Sequence, residues 1–401
     1  MSELSKVRGS RVRNRLRYIG LVAAVGLLVA GCQGGEPQGI VSGASGTLPS
    51  ASPTPVKPTL SISPASSTTP VRADRPVSVS LVNGKLNSVR LTDKAGKQVG
   101  GSVDATGTWR NTQPLSAGTS YTVTASAIGE DGEAVQQTST FTTVKATRLV
   151  NTTLIPGDDW KVGVGMPVIV VFSQPVKNKD AALAALKVQS TPSVTGGWRW
   201  FSDTEAHYRP KDYWAPGTKV QVTASTSGTE LAKGQWGKRT VTTKFEIGSD
   251  QRMTVNMAKH TMTFTRDGKT VRTMPVTTGK PGFSTRNGIK VVMDRESQVT
   301  MDAATTGIDS TDPDYYNLKV NWAMRLTWSG EYFHAAPWSV GSQGRANVSH
   351  GCTGLSTANA KWLYDNVQIG DVAVFSGGSR SLEQGNGYTD WNLPFSAYTA
   401  T

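Results

Sequence analysis

The sequence predicts a mostly β chain: two β-sandwiches in a row, then a third β-rich unit with one short helix and a terminal tail. Three observations lead there. Short runs rich in Val and Thr alternate with turn residues, as in Val77-Ser78-Val79-Ser80-Leu81 and Tyr121-Thr122-Val123-Thr124-Ala125, the period-two pattern of half-buried strands. A segment recurs at an interval of 99 residues: Trp109-Arg110, Ala117-Gly118-Thr119 and Val123-Thr124-Ala125-Ser126 return as Tyr208-Arg209, Pro216-Gly217-Thr218 and Val222-Thr223-Ala224-Ser225. Beyond Gln251 the pattern changes to hairpins around one helical stretch.

In chain order, the N-terminus comes first. Lys6, Arg8, Arg11, Arg13, Arg15 and Arg17 stand against one acid, Glu3, and an apolar run from Tyr18 to Ala30 follows. That is a basic region and an apolar region shorter than the roughly 20 residues of a membrane span. The run closes on Val29-Ala30-Gly31-Cys32, which resembles the lipobox of bacterial lipoproteins. Residues 1–31 are therefore expected to be an export signal, with Cys32 lipidated and the protein held on the outer side of the cell membrane, facing the wall. The alternative is an ordinary signal with an incidental cysteine. Residues 32–58 are rich in Gly, Ser, Pro, Thr and Ala, a composition that cannot bury enough apolar surface to offset ordering, and read as a flexible tether. The formal net charge of +13 falls to about +8 without the signal. That balance suits an anionic envelope. It also suits nucleic acid, but export removes the chain from nucleic acid, and no dense basic run follows residue 17.

An aromatic, a Gly turn and an alternating strand, repeated at about 100 residues, match the size of an immunoglobulin-like sandwich. Two such domains are expected, at 59–146 and 147–249. The cysteine pair of antibody domains is absent, so each rests on its core alone.

The third unit is expected at 250–378. Asp267-Gly268 marks a hairpin turn, Val271 to Thr277 a strand, Ser356 to Tyr364 a helix with Ala358, Trp362 and Leu363 on one face, and Asp371 to Phe375 a closing strand. The tail, 379–401, holds Trp391, Pro394, Phe395 and Tyr398 and is expected to dock on this unit.

The chemistry gathers in the same unit. The chain has two cysteines, and with Cys32 lipidated Cys352 has no partner. A lone cysteine is either an inert small hydrophobe or a reactive thiol. Its neighbours favour the second. His334 and His350 lie within 20 residues of it, and a histidine in reach of a thiol can take its proton and later return it to a leaving group. Gly351 lets backbone approach a substrate and aim N–H groups at an oxyanion, and the dipole of the following helix would favour a thiolate. A zinc reading of His334, His350 and Cys352 lacks C-x-x-C or H-x-x-x-H spacing.

The stretches Phe333-His334-Ala335-Ala336-Pro337-Trp338-Ser339 and Ser349-His350-Gly351-Cys352 resemble the active-site signature of the L,D-transpeptidases. The resemblance spans roughly 250–378, and the upstream sandwiches and aromatic tail are similar to the multidomain enzymes of mycobacteria and related actinobacteria. It implies Cys352 as nucleophile and His334 as base, its ring oriented by the main-chain carbonyl of the next residue, here Ala335 where relatives often have serine. It implies oxyanion stabilisation by amides at Gly351 and Cys352 with the Tyr316 hydroxyl, and a structural or substrate-facing His350. It places Met301, Tyr316, Trp338, Ser349 and Gly354 against the substrate; Gly354 departs from the Arg or Asn common there, and Arg286 stands where relatives often have Pro. It implies no cofactor and no metal. The partners it implies are tetrapeptide stems of peptidoglycan, as donor and acceptor, and carbapenems as acylating inhibitors. A wall-binding protein whose sandwiches do the work, and a carboxypeptidase in which water replaces the acceptor, are the competing readings.

Overall fold

The computed structural model describes residues 56–400. The export signal, Cys32 and most of the tether lie outside them.

In the first sandwich one sheet holds Thr59–Ser63, Ser78–Val82, Trp109–Asn111 and Gly101–Val103, and the other Gln98–Val99, Gly84–Asp93, Ser120–Gly129 and Ala134–Thr142. The period-two pattern explains the core. On Ser120–Gly129 every second residue from Tyr121 is buried, and Tyr121, Val123 and Ala125 meet Val79, Leu91, Trp109 and Phe141 between the sheets. The second sandwich repeats the scheme, with Tyr208, Val222 and Phe245 in the core positions of Trp109, Val123 and Phe141. It also holds a short helix, Lys179–Ala184, capped by the Asn178 side chain, which the sequence reading passed over.

Residues from 251 onward form the third unit. A six-stranded sheet runs Lys269–Pro275, Thr261–Arg266, Gln251–Asn256, Val372–Ser376, Arg286–Val291 and Arg380–Ser381. A four-stranded sheet runs Asp294–Asp302, Asn317–Arg325, Tyr332–Ala335 and Thr353–Leu355. Met253, Phe264, Met324, Phe333, Leu355 and Phe375 fill the shared core. The Asp267-Gly268 turn has φ of 50° and 76°, both left-handed as the tight hairpin turn demands, and it registers Arg266 against Lys269.

The helix is Thr357–Asn366, with Ser356 Oγ accepting from the Asn359 N–H at 3.2 Å. Its buried face is Ala360 and Leu363, while Ala358 is exposed. Of the expected face, Leu363 and Trp362 pack on the core as predicted, and Ala360 takes the place expected of Ala358. Trp362 is half-buried, edge-on to Phe264.

The tail contacts more than the unit it was expected to dock on. Arg380–Ser381 pairs with Arg286–Val291, and Asn392 brackets the Ile289 backbone, its Oδ1 accepting from the N–H at 2.8 Å and its Nδ2 donating to the carbonyl at 2.6 Å. Thr399–Ala400 then joins the second sandwich beside Gly196–Trp200. Trp391 Nε1 donates to Gly165 O at 2.7 Å, and Asp390 is buried against His207. One core, including Val164, Met166, Val291, Met293, Val372 and Tyr388, runs from the second sandwich into the third unit.

Candidate active site

Two short strands build the site. Tyr332–Ala335 runs parallel to Thr353–Leu355 with His334 opposite Gly354. Side chains alternate along a strand, so Cys352, two residues before Gly354, lies on the face that His334 shares. Both line one cavity of about 300 Å³ with Met301, Tyr316, Trp338, Ser349, His350 and Gly354. All the side-chain positions that the resemblance assigned to chemistry or substrate, apart from Gly351 and Ala335, therefore open on a single space.

Gly351 and Ala335 act through backbone. The Ala335 carbonyl accepts from His334 Nδ1 at 2.8 Å. That bond assigns the proton to Nδ1 and leaves Nε2 as the basic nitrogen. The Ala335 methyl is buried in the core, which is why a side-chain hydroxyl is not needed to hold the ring. Gly351 has φ of 128°, a left-handed conformation that a side chain would strain. Its N–H donates to Ser349 Oγ at 3.1 Å, and that hydroxyl donates to Cys352 O at 2.6 Å. Ser349 therefore spends its side chain bracing the turn, and the Gly351 amide is already engaged. The Cys352 N–H has no partner among the described residues.

Burial dominates the electrostatics. It pushes the Cys352 thiol up to about 12, with Gly330 O accepting from Sγ at 3.4 Å. It also pulls His334 below the usual imidazole value, opposed by the Ala335 carbonyl. The resting pair is thus neutral thiol and neutral imidazole. This corrects the expectation of a thiolate held by the helix dipole: the helix begins at Thr357, five residues on, with its first turn capped by Ser356. Burial, then the nearby thiol, raises the Tyr316 phenol to about 12, so it stays a hydrogen-bond donor.

His350 sits between the rings of Phe283 and Tyr316, at 4.7 and 5.0 Å, and its Nε2 lies 3.2 Å from Asp314 Oδ1. Lys280 also pairs with Asp314. His350 is thus a partnered residue of the cavity wall. Trp338 is 61% exposed at the rim, its ring 6.0 Å from that of His334. A Cβ on Gly354 would lie 3.0 Å from both Ala336 Cβ and Thr277 Cγ2, so a side chain there would press on both. Thr277, Leu318, Val320, Ala336 and Val348 also line the cavity. The sequence reading missed Thr277, Leu318 and Val320 because only the sheet pairing brings them there, and it gave Ala336 and Val348, beside the motif residues, no role. No three His, Cys, Asp or Glu side chains group closely enough to hold a metal ion among the described residues.

Comparison with known proteins places this geometry. The family described as bacterial Ig domain matches residues 68–230, and the L,D-transpeptidase catalytic domain matches residues 250–375. The chain is 36% identical over 332 residues to L,D-transpeptidase 2 of Mycobacterium tuberculosis (strain CDC 1551 / Oshkosh), covering 82% of this chain and 81% of that protein. It is 34% identical over 355 residues to L,D-transpeptidase 5 of M. tuberculosis (strain ATCC 25618 / H37Rv), covering 86% and 77%. Among solved structures, LD transpeptidase LdtMt1 in complex with imipenem matches with 37% identity and a TM-score of 0.50, over 56% of this chain and 97% of that one. A cysteine and a carbonyl-locked histidine on paired strands, behind two sandwiches, thus have relatives along most of the chain, which belongs to the L,D-transpeptidase family and is an enzyme of that kind.

Proposed function

We propose that this enzyme cross-links peptidoglycan by moving an acyl group between stem peptides through a thioester on Cys352. The observation that supports it is the shared cavity of Cys352 and His334, with Nδ1 engaged by Ala335 and Nε2 left basic. The thiol and the imidazole both rest uncharged, so the thiol proton moves to His334 as the sulfur attacks. Cys352 Sγ bonds to the carbonyl carbon between meso-diaminopimelate and the terminal D-Ala of a tetrapeptide, and its proton passes to His334 Nε2. The carbon–nitrogen bond breaks, and D-Ala leaves as the amine with that proton. The Cys352 N–H and the Tyr316 hydroxyl are the donors for the oxyanion. A side-chain amine of a second stem then gives a proton to His334 and attacks the thioester. The carbon–sulfur bond breaks, the sulfur regains its proton, and an amide joins two diaminopimelate residues.

Carbapenem acylation belongs to the same proposal, supported by the imipenem complex of a relative. The thiol would open the β-lactam amide by the same steps. Anchorage by lipid at Cys32, on the outer face of the membrane, is also proposed; it rests on the order of basic region, apolar run, small residues and cysteine. Cys32→Ala should move the protein out of the membrane fraction, and unchanged partition would remove the anchor.

The test of the reaction is incubation of the full chain with disaccharide-tetrapeptide, with and without an acceptor stem. Release of D-Ala and a cross-linked dimer, both lost in Cys352→Ala, support the reading. D-Ala release with only hydrolysed tripeptide would make the enzyme a carboxypeptidase instead.

A further inference from the structure

Behind the nucleophile lies a buried group of charges that the reaction above does not use. The Lys290 side chain is fully buried, and its Nζ donates to Glu331 Oε2 at 2.5 Å. Arg286, 11% exposed, donates to Glu331 Oε1 from Nη1 and from its backbone N–H, both at 3.0 Å. Lys290 also lies over the Phe375 ring, 3.7 Å from its centre. Buried charges cost several kcal/mol each unless paired, so these groups call for an explanation: Arg286 and Lys290 lie on Arg286–Val291, and Glu331 directly precedes the site strand Tyr332–Ala335.

The cluster touches the catalytic turn. A Cβ on Gly351 would lie 3.8 Å from Glu331 Cγ. Thr285, the neighbour of Arg286, donates from Oγ1 to Gly351 O at 2.7 Å. Glu331 sits between Gly330, whose carbonyl accepts from the thiol, and Tyr332. The cluster sets two basic side chains against one carboxylate, and burial lowers Lys290 against the opposing pull of Glu331. Arg286 also reaches Glu383 on the tail at 2.5 Å, and that carboxylate is shared with Arg380 at the surface.

We propose that Arg286, Glu331 and Lys290 form an electrostatic positioning cluster that sets how readily Cys352 becomes a thiolate, with the cations favouring it and Glu331 opposing it. The cluster lies in the low-dielectric interior, where charges are weakly screened. Other charged and titratable groups face the thiol's surroundings. His334 and Tyr316 share the cavity; Tyr332 is next to Glu331; and His350 is paired with Asp314 and Lys280. Asp302 acts on Tyr316, and Arg325, Glu296 and Asp294 act on Tyr332. The cluster differs from His334, Tyr316 and His350 in lying behind the turn rather than in the cavity. The directions agree with this: after burial, which raises the thiol, and the Tyr332 backbone hydrogen bond, which lowers it, Glu331 raises it and Lys290 lowers it. The inference rests on Cys352 being the reacting thiol, but its test does not need the peptidoglycan reaction.

The experiment follows alkylation of Cys352 by iodoacetamide in the full chain, read at the Cys352 peptide by mass spectrometry across a pH series. Below the thiol's midpoint the rate tracks the thiolate fraction, so a shifted midpoint displaces the whole profile. Glu331→Gln should raise the rate, and Lys290→Met should lower it, each by at least ~3-fold at a given pH. A merely structural cluster would move both variants in the same direction through altered access, or leave the profile in place; either result overturns the proposal. If Lys290→Met fails to fold, Glu331→Gln alone decides, since a glutamine keeps an acceptor for Arg286: a raised profile supports the tuning, and an unmoved or lowered one refutes it. Loss of cross-linking with alkylation profiles as expected would count against the proposed reaction and not against the cluster.

Discussion

The proton on His334 is settled by one carbonyl. Because the Ala335 oxygen holds Nδ1 at 2.8 Å and its methyl points into the core, Ala335→Ser should change the rate of carbapenem acylation by less than about tenfold, equal to ~1.4 kcal/mol of barrier. It should lower the thermal midpoint, since a hydroxyl enters an apolar space. Stopped-flow acylation and thermal melts check the two halves; a large rate gain would mean that a serine hydroxyl, and not the carbonyl, orients the ring. His334→Ala should slow acylation by ~10²–10⁴-fold, the usual weight of a general base, while leaving Cys352 able to be alkylated at high pH. Gly354→Asn should not speed acylation: its Cβ would meet Ala336 and Thr277 at 3.0 Å. The expected outcome is slower acylation, measured as the second-order rate constant, and a faster variant would contradict the packing account.

At the scale of elements, local signals were legible and distant pairings were not. Asp267-Gly268 announced its hairpin because few residues tolerate two left-handed positions. Ser356 announced its helix because its side chain caps the first turn; Ser356→Ala should cost ~1 kcal/mol in chemical denaturation. On the helix, Leu363 and Trp362 face the core as expected, but Ala358 was taken for Ala360 because the two look alike in sequence and only the sheet beneath decides which is covered. The motif around His334 and Cys352 was readable as residues in order, but Leu318, Val320 and Thr277 reach the cavity only through sheet pairing. Lys290 between Ile289 and Val291 carried a signal that went unused: a lysine in an apolar strand needs a partner, and Glu331 supplies it 41 residues away. The tail's last strand gave no local signal at all, since Gly197 pairs with Ala400 across the chain.

At the scale of the whole molecule, the tail ties the catalytic unit to the second sandwich through buried ionisable groups. Burial pulls His207 down, but Asp390 and then Glu205 outweigh it and raise its pKa from 6.5 to about 9. A raised histidine adds stability that is complete below 6.5 and lost as pH rises through about 9. Burial also raises the Asp371 carboxyl, at the joint beside Gly163, from 3.8 to about 8. Its contribution is likewise present at low pH and lost on the way through about 8. The two act in the same direction, so the thermal midpoint should fall as pH rises past neutrality, and His207→Gln should be less stable at acid pH with a flatter decline. An unchanged slope in that variant would show that the His207–Asp390 pair is not what titrates. The account's central claim, acyl transfer through one thiol in one cavity, is tested most directly by the intact mass of the full chain after brief exposure to disaccharide-tetrapeptide. The predicted result is an adduct equal to the donor minus D-Ala, mapped to Cys352, absent in Cys352→Ala, and cleared on adding an acceptor amine. D-Ala release with the adduct absent, or an adduct that persists when Cys352 is replaced, would contradict it.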